Sequence, residues 1–252
     1  MKKLLIVAIV LIPCFTKAQE YKVAQNTGRL EIQLGKVIVE GYSGNEIIFT
    51  SMYENTSKDT RAEGLRAING LGIEDNTGLG VNVTRNANTV IVKQLKKVEA
   101  PEIKIKVPKG VIVSFQYESQ YGGVVKLRNM ENEIEVSARY NSIEMENVTG
   151  PMIVKTIYGH VEAKFANSIK SPVSVVSVYG YVDVSLPVET RANLRLSSSY
   201  GEILVSPDLK LEVNREGMDN NSGRIQGKLG GGGDLNMDLS SNYGKIYLRK
   251  KN

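Results

Sequence analysis

The feature that most constrains this chain is a tyrosine that keeps returning. Tyr121, Tyr140, Tyr158, Tyr179 and Tyr200 follow one another at intervals of 19, 18, 21 and 21 residues, and Tyr243 stands 43 residues further on. Aligned on the tyrosine, the sixth residue before it is Phe115, Ile134, Met152, Val173, Leu194 or Met237, and the fourth before is Tyr117, Val136, Val154, Val175, Leu196 or Leu239. Both columns are apolar throughout. Two before the tyrosine stands Ser119, Ala138, Thr156, Ser177, Ser198 or Ser241, and one after it is Gly in every unit but the second, where Asn141 replaces it. Self-similarity at such a period is the mark of a repeat architecture.

Within each unit apolar and polar residues alternate with period two, which describes half-buried strands, and β-branched residues dominate the apolar positions. Two strand segments and their corners per unit, in register from one unit to the next, predict an all-β, single-stranded β-solenoid (β-helix) of roughly 20-residue rungs stacked ~4.8 Å apart. A β-sandwich also alternates, but nothing in a sandwich repeats one column pattern at one period. Gly or Asn at the corner is read as supplying a positive φ, and Asn147-Val148-Thr149-Gly150-Pro151 marks a second corner half a turn away. The long interval before Tyr243 is read as a degraded rung at Ser222-Gly223-Arg224-Ile225, and Thr27-Gly28-Arg29-Leu30 as a further corner near the start, preceded by Tyr21 and Val23.

Residues 1–18 read as a secretory signal peptide: Met1-Lys2-Lys3, an apolar stretch from Leu4 to Phe15, then Thr16-Lys17-Ala18. The stretch is too short to span a bilayer, and no later segment is apolar enough. Pro13 before Cys14 disfavours lipidation. The expected mature domain, 19–252, has 29 basic and 27 acidic residues, so most of the basic excess of +5 belongs to the signal. A nucleic-acid partner is therefore not expected. The chain's one Cys is Cys14 and its one His is His160, which excludes disulfides and Cys/His zinc sites, and no cofactor or metal is called. The reading is of an exported protein of the periplasm or cell surface.

The strand pattern breaks over residues 51–80, where Thr60 to Ile68 predicts a short helical insertion near residues 55–75 with Leu65 and Ile68 on one side. Residues 214–235, rich in Asn and Gly, read as a flexible connection. The tyrosines Tyr121, Tyr140, Tyr158, Tyr179, Tyr200 and Tyr243 have two readings: an exposed strip that stacks on sugars, or a structural ladder. Each shares the parity of the buried columns, which predicts an inward ring. Among outward positions, Glu144, Glu162 and Asp183 fall on successive rungs, where like charges repel; either neighbouring Lys and Arg and solvent relieve them, or a hard divalent cation such as calcium sits among them. Ile157, Val176 and Val178, with Ile153 nearby, are apolar where other rungs are polar, and such a patch marks a contact, either with the helix of the insertion or with a partner. These six, Glu144, Glu162, Asp183, Ile157, Val176 and Val178, form the candidate binding surface. His160 reads as a surface histidine, since no Gly-x-Ser-x-Gly elbow is present.

Gly35-Lys36-Val37-Ile38-Val39-Glu40-Gly41-Tyr42-Ser43-Gly44-Asn45-Glu46-Ile47, the Val107-Pro108-Lys109-Gly110-Val111 segment echoed by Leu186-Pro187-Val188, and the Tyr-Gly-x-Val/Ile rungs together resemble the bacterial putative-adhesin family of exported proteins, over about residues 25–250. The resemblance implies a β-helical envelope protein of unknown function, with adhesion by analogy and no catalytic residues to carry over. The functional expectation is a non-enzymatic adhesin-like binding or scaffold protein whose partner is an envelope protein or a surface glycan. The alternative is a carbohydrate-active enzyme using Glu144, Glu162 and Asp183 with Lys164 or Lys155 on the outer face.

Overall fold

The computed structural model describes residues 19–52, 60–214 and 223–251. The expected signal peptide and Ser222 of the expected corner thus lie outside the described residues. The first half of the chain forms β1 (Glu20–Val23), β2 (Gly28–Gln33), β3 (Val37–Tyr42), β4 (Ile47–Ser51), β5 (Val81–Asn86), β6 (Thr89–Gln94), β7 (Ile103–Pro108), β8 (Val111–Tyr117) and β9 (Val124–Arg128). The repeat region forms β10 (Ile134–Ala138), β11 (Ser142–Val148), β12 (Met152–Thr156), β13 (Val161–Phe165), β14 (Val173–Ser177), β15 (Val182–Leu186), β16 (Ala192–Ser197) and β17 (Ile203–Val205). After them come β18 (Leu211–Val213), β19 (Arg224–Leu229), β20 (Leu235–Ser241) and β21 (Ile246–Lys250).

Each coil gives one strand to each of two sheets, so the molecule is a flattened β-solenoid. Among the described residues eight coils stack, in the spatial order β6/β7, β2/β3, β8/β9, β10/β11, β12/β13, β14/β15, β20/β21 and β16/β17. The chain order is kept through the middle and exchanged at both ends. Successive coils pair in parallel, as winding in one direction requires.

The apolar columns become two continuous files. In one sheet Val92, Ile32, Phe115, Val136, Val154, Val175, Leu239 and Leu196 lie over one another in register. In the other, Ile105, Val39, Leu127, Met145, Ala163, Val184, Leu248 and Val205 do the same. The files face each other in one core, and every residue of the first is at most 3% exposed.

Several sequence expectations are corrected here. The stretch before Tyr243 is no degraded rung: β19 runs antiparallel to β16, and β18 antiparallel to β19, before β20 returns between β14 and β16. These antiparallel strands cover the growing edge of one sheet, and β1, β4 and β5 do so at the opposite end, which blunts pairing with other chains. Tyr21 therefore sits on a capping strand, packed beside Phe49 with ring centroids 6.1 Å apart. Among the described residues, the helix of the insertion shrinks to one 3-10 turn, Thr60–Ala62, with no buried residue. A stretch with two apolar residues exposed on it has no face to dock.

Candidate functional site

The sharpest correction concerns the tyrosines. All six rings point outward, from 36% exposed at Tyr140 to 74% at Tyr200. The alternation rule holds only while the chain is extended, and β10, β12, β14 and β20 end at the small residue two before the tyrosine, as β14 does at Ser177, while β8 and β16 end earlier still. Beyond that point the backbone bends. The inside of the bend is already filled by hydroxyls: Thr156 Oγ1 donates to Asn141 O (2.8 Å), Ser177 Oγ to Gly159 O (2.8 Å), Ser241 Oγ to Gly180 O (2.7 Å) and Ser198 Oγ to Gly244 O (3.1 Å). The small column thus ties each corner to the next coil and leaves no volume for a phenol.

The corner glycines serve the same contact. None of Gly159, Gly180, Gly201 and Gly244 has a positive φ. A Cβ at Gly159 would stand 1.9 Å from Asn141 O, and one at Gly180 2.1 Å from Gly159 O. Glycine is required here by backbone touching backbone. Asn141, in the glycine position of its own coil, spends its amide on Gly35 O (2.6 Å) and Gly123 O (3.0 Å) across the neighbouring corner.

Outside the corner the rings form a continuous stacked file. Tyr140, Tyr158, Tyr179, Tyr243 and Tyr200 stack in that order at 5.0, 5.0, 4.8 and 4.9 Å, with interplanar angles of 15° or less. The order is that of the coils in space, so Tyr243 enters between Tyr179 and Tyr200. The Arg139 guanidinium lies over the Tyr140 ring, 5.6 Å from its centroid. None of the five hydroxyls bonds to a described residue. Tyr121 stands apart because its corner is longer: Tyr117 and Val125 pair with Ala138 and Ile143, so seven intervening residues there replace four.

Of the apolar candidates, Ile157 and Val178 adjoin each other along this file, with Tyr179 N donating to Ile157 O at 2.8 Å. Val176 lies between Lys155 and Ser240, and Ile153 between Glu135 and Ser174, so they are isolated positions of one sheet. The described part of the insertion does not cover them. Its Asn69 amide donates to Leu95 O beyond β6, the terminal coil, and Leu65 and Ile68 are themselves exposed.

The acidic column lies on the other sheet. Glu144, Glu162 and Asp183 are in register on β11, β13 and β15, and each meets a different partner. Lys126 Nζ is 3.0 Å from Glu144 Oε2, and Arg249 Nε reaches both oxygens of Asp183 at 2.8 and 2.9 Å. Glu162 Oε1 accepts from the Tyr181 hydroxyl at 2.5 Å. Lys164 shares this face, but Lys155 is on the opposite sheet and cannot serve the same centre.

A second aromatic file borders the column: His160 stacks on Tyr181 at 4.6 Å, and Tyr181 meets Tyr247 edge to face at 6.0 Å. Ser142 Oγ is 3.1 Å from His160 Nδ1, while His160 Nε2 is 4.0 Å from Glu162 Oε1, beyond hydrogen-bond reach. Sequence reasoning missed this cluster: Ser142, His160 and Tyr181 share one column two residues after the tyrosine, a signal that could have found them, whereas Tyr247 joins from four residues after its own.

Burial, aided by the bond to ionised Glu162, pushes the Tyr181 phenol up to about 12. Folding favours its neutral form, so this contribution is complete below the ordinary phenol value near ~10 and is lost as pH rises through about 12. An alkaline titration of tyrosinate absorbance is expected to show one phenol ionising near 12, moved downward by Glu162→Gln. An unmoved titration in that variant contradicts the Glu162 bond.

A depression of about 800 Å³ lies elsewhere, lined by residues of β14, β16, β18, β19 and β20. Its Arg195 and Asp238 lie 3.5 Å apart. Among the described residues no group of His, Cys, Asp and Glu is arranged to hold a metal ion, and no helix is long and apolar enough to cross a membrane.

No curated protein matches the sequence. A crystal structure of a putative cell adhesion protein from Clostridium sporogenes is similar at 10% identity and a TM-score of 0.40, covering 93% of this chain and all of that one. A putative adhesin from Bacteroides fragilis is similar at 11% identity and a TM-score of 0.36, covering 92% of this chain and 97% of that one. Residues 130–248 match the Toastrack DUF4097 family, a narrower span than the whole repeat.

Proposed function

We propose that the protein is an exported, non-enzymatic, adhesin-like binding or scaffold protein of the bacterial cell envelope, and that it contacts its partner through the tyrosine file. One observation carries this reading: five stacked, solvent-facing tyrosines whose hydroxyls have no partner among the described residues. Their rings do little for the core, and aromatic side chains that are amphipathic and rigid are what contact surfaces favour. The acidic column supports the same reading from the other side. Its carboxylates are held by Lys126, Arg249 and Tyr181, an arrangement that stabilises a charged face.

The test is sedimentation of purified protein with isolated envelopes. Tyr158→Ala/Tyr179→Ala is expected to stay folded, because each ring is half-exposed and stacking contributes only about 1 kcal/mol per pair, and to lose envelope binding. Glu162→Gln is expected to bind normally. Release of sugar products by wild-type protein, abolished by Glu162→Gln, is the result that replaces this proposal with a carbohydrate-active enzyme.

A further inference from the structure

Resting on the reading of the tyrosine file as the contact surface, we infer that its ligand is an extended, unbranched, β-linked polysaccharide lying parallel to the solenoid axis, one sugar per tyrosine. Four features of the file lead there. The first is its repeat: the rings recur every 4.8 to 5.0 Å along the file, each nearly parallel to the next. A pyranose residue in an extended β-linked chain advances by nearly the same step, so five sugars stay in register with five rungs. An extended peptide does not, since its residues on one face recur every ~6.8 Å and slip past the rings within two or three rungs.

The second feature is what the file offers. Inner rings are covered on both faces by their neighbours, and the Arg139 guanidinium lies over Tyr140 at the end of the file. A ligand therefore meets ring edges and phenol hydroxyls, a row of groups that both donate and accept. The third is that these hydroxyls are free of protein partners among the described residues, which suits a ligand carrying hydroxyls at the same interval. The fourth is the strip alongside. The residues preceding the tyrosines are, in spatial order, Arg139, Ile157, Val178, Asn242 and Ser199. The aliphatic pair at Ile157 and Val178 can take the C–H face of a sugar, and the polar residues flanking it can reach hydroxyls. Arg139 is the only cation in that strip, too little for a phosphate backbone.

The experiment measures binding of purified protein to cello-oligosaccharides and chito-oligosaccharides of two to six sugars, with malto-oligosaccharides, α-linked and coiled, as the control. The two β-linked series distinguish a plain glucan from an N-acetylated glycan as the source. Affinity is expected to climb with length and level off at five sugars, the span of the file. Tyr158→Phe/Tyr179→Phe/Tyr243→Phe, which keeps the stacking and removes three hydroxyls, is expected to weaken binding at least about tenfold with the melting temperature unchanged. Equal binding of the α-linked series, affinity independent of length, or an unaffected Phe variant overturns the inference. Loss of envelope binding in Tyr158→Ala/Tyr179→Ala with no oligosaccharide bound overturns the glycan while leaving the contact surface in place. Tyrosine-dependent oligosaccharide binding without envelope binding upholds the glycan and removes the envelope as its source.

Discussion

Gly159→Ala is expected to destabilise the protein by about 3 kcal/mol, the upper range for forcing atoms into a packed site. The added Cβ would stand 1.9 Å from Asn141 O, 2.4 Å from its carbonyl carbon and 2.8 Å from Ser142 N, all backbone atoms of the neighbouring coil. No side chain can swing aside, so two coils must separate, and the Ser177 bond to Gly159 O is strained with them. Gly70→Ala is the control, because nothing lies within 4 Å of a Cβ there. Chemical denaturation of the two variants gives the comparison. Equal stabilities would mean that the corners do not touch.

Phe115→Ala is expected to cost about 3–5 kcal/mol, as truncation of a fully buried aromatic does. Its ring is 0% exposed and lies in the file between Ile32 and Val136, where the exchanged first coil meets the regular series. Collapse around the cavity is limited by the hydrogen-bonded ladders on either side. The contrast is with Tyr179→Ala, where a ring of larger area but half-exposed contributes about 1–2 kcal/mol through its two stacking partners. A thermal melt that ranks Tyr179→Ala as the worse of the two contradicts the outward placement of the file.

The buried columns were legible in the sequence because strand alternation is a local rule, and Val136, Val154 and Val175 obey it within single strands. The tyrosines were misread because that rule was carried across a bend: the same parity that buries Ser177 says nothing about Tyr179 two residues into the corner. Glycine was rightly singled out and wrongly explained. Its need at Gly159 comes from the adjacent coil, which no single repeat displays.

Period alone also hid the exchange of the last two coils. A gap of about two periods before Tyr243 suits a degraded rung as well as an antiparallel excursion through β18 and β19, and only pairing between distant segments separates the two. The same holds for Tyr121, whose corner has three extra residues. For the acidic face, the shared column of Glu144, Glu162 and Asp183 was visible, but the partners were not. Arg249 reaches Asp183 from a coil 66 residues away in sequence, and Tyr181 reaches Glu162 from the next coil at a different offset.

The order of coils decides which tyrosines touch, and it can be measured directly by disulfide trapping. Ser174 is in register with Asp238, and Asp238 with Arg195, so Ser174 and Asp238 are one strand spacing apart and Ser174 and Arg195 are two, ~4.8 against ~9.6 Å between Cα atoms. A disulfide needs Cα atoms within ~7 Å. Ser174→Cys/Asp238→Cys is expected to oxidise to completion in the folded protein, and Ser174→Cys/Arg195→Cys to remain reduced. Ready oxidation of the second pair with none in the first would place the coils in chain order, break the file between Tyr179 and Tyr243, and contradict the account.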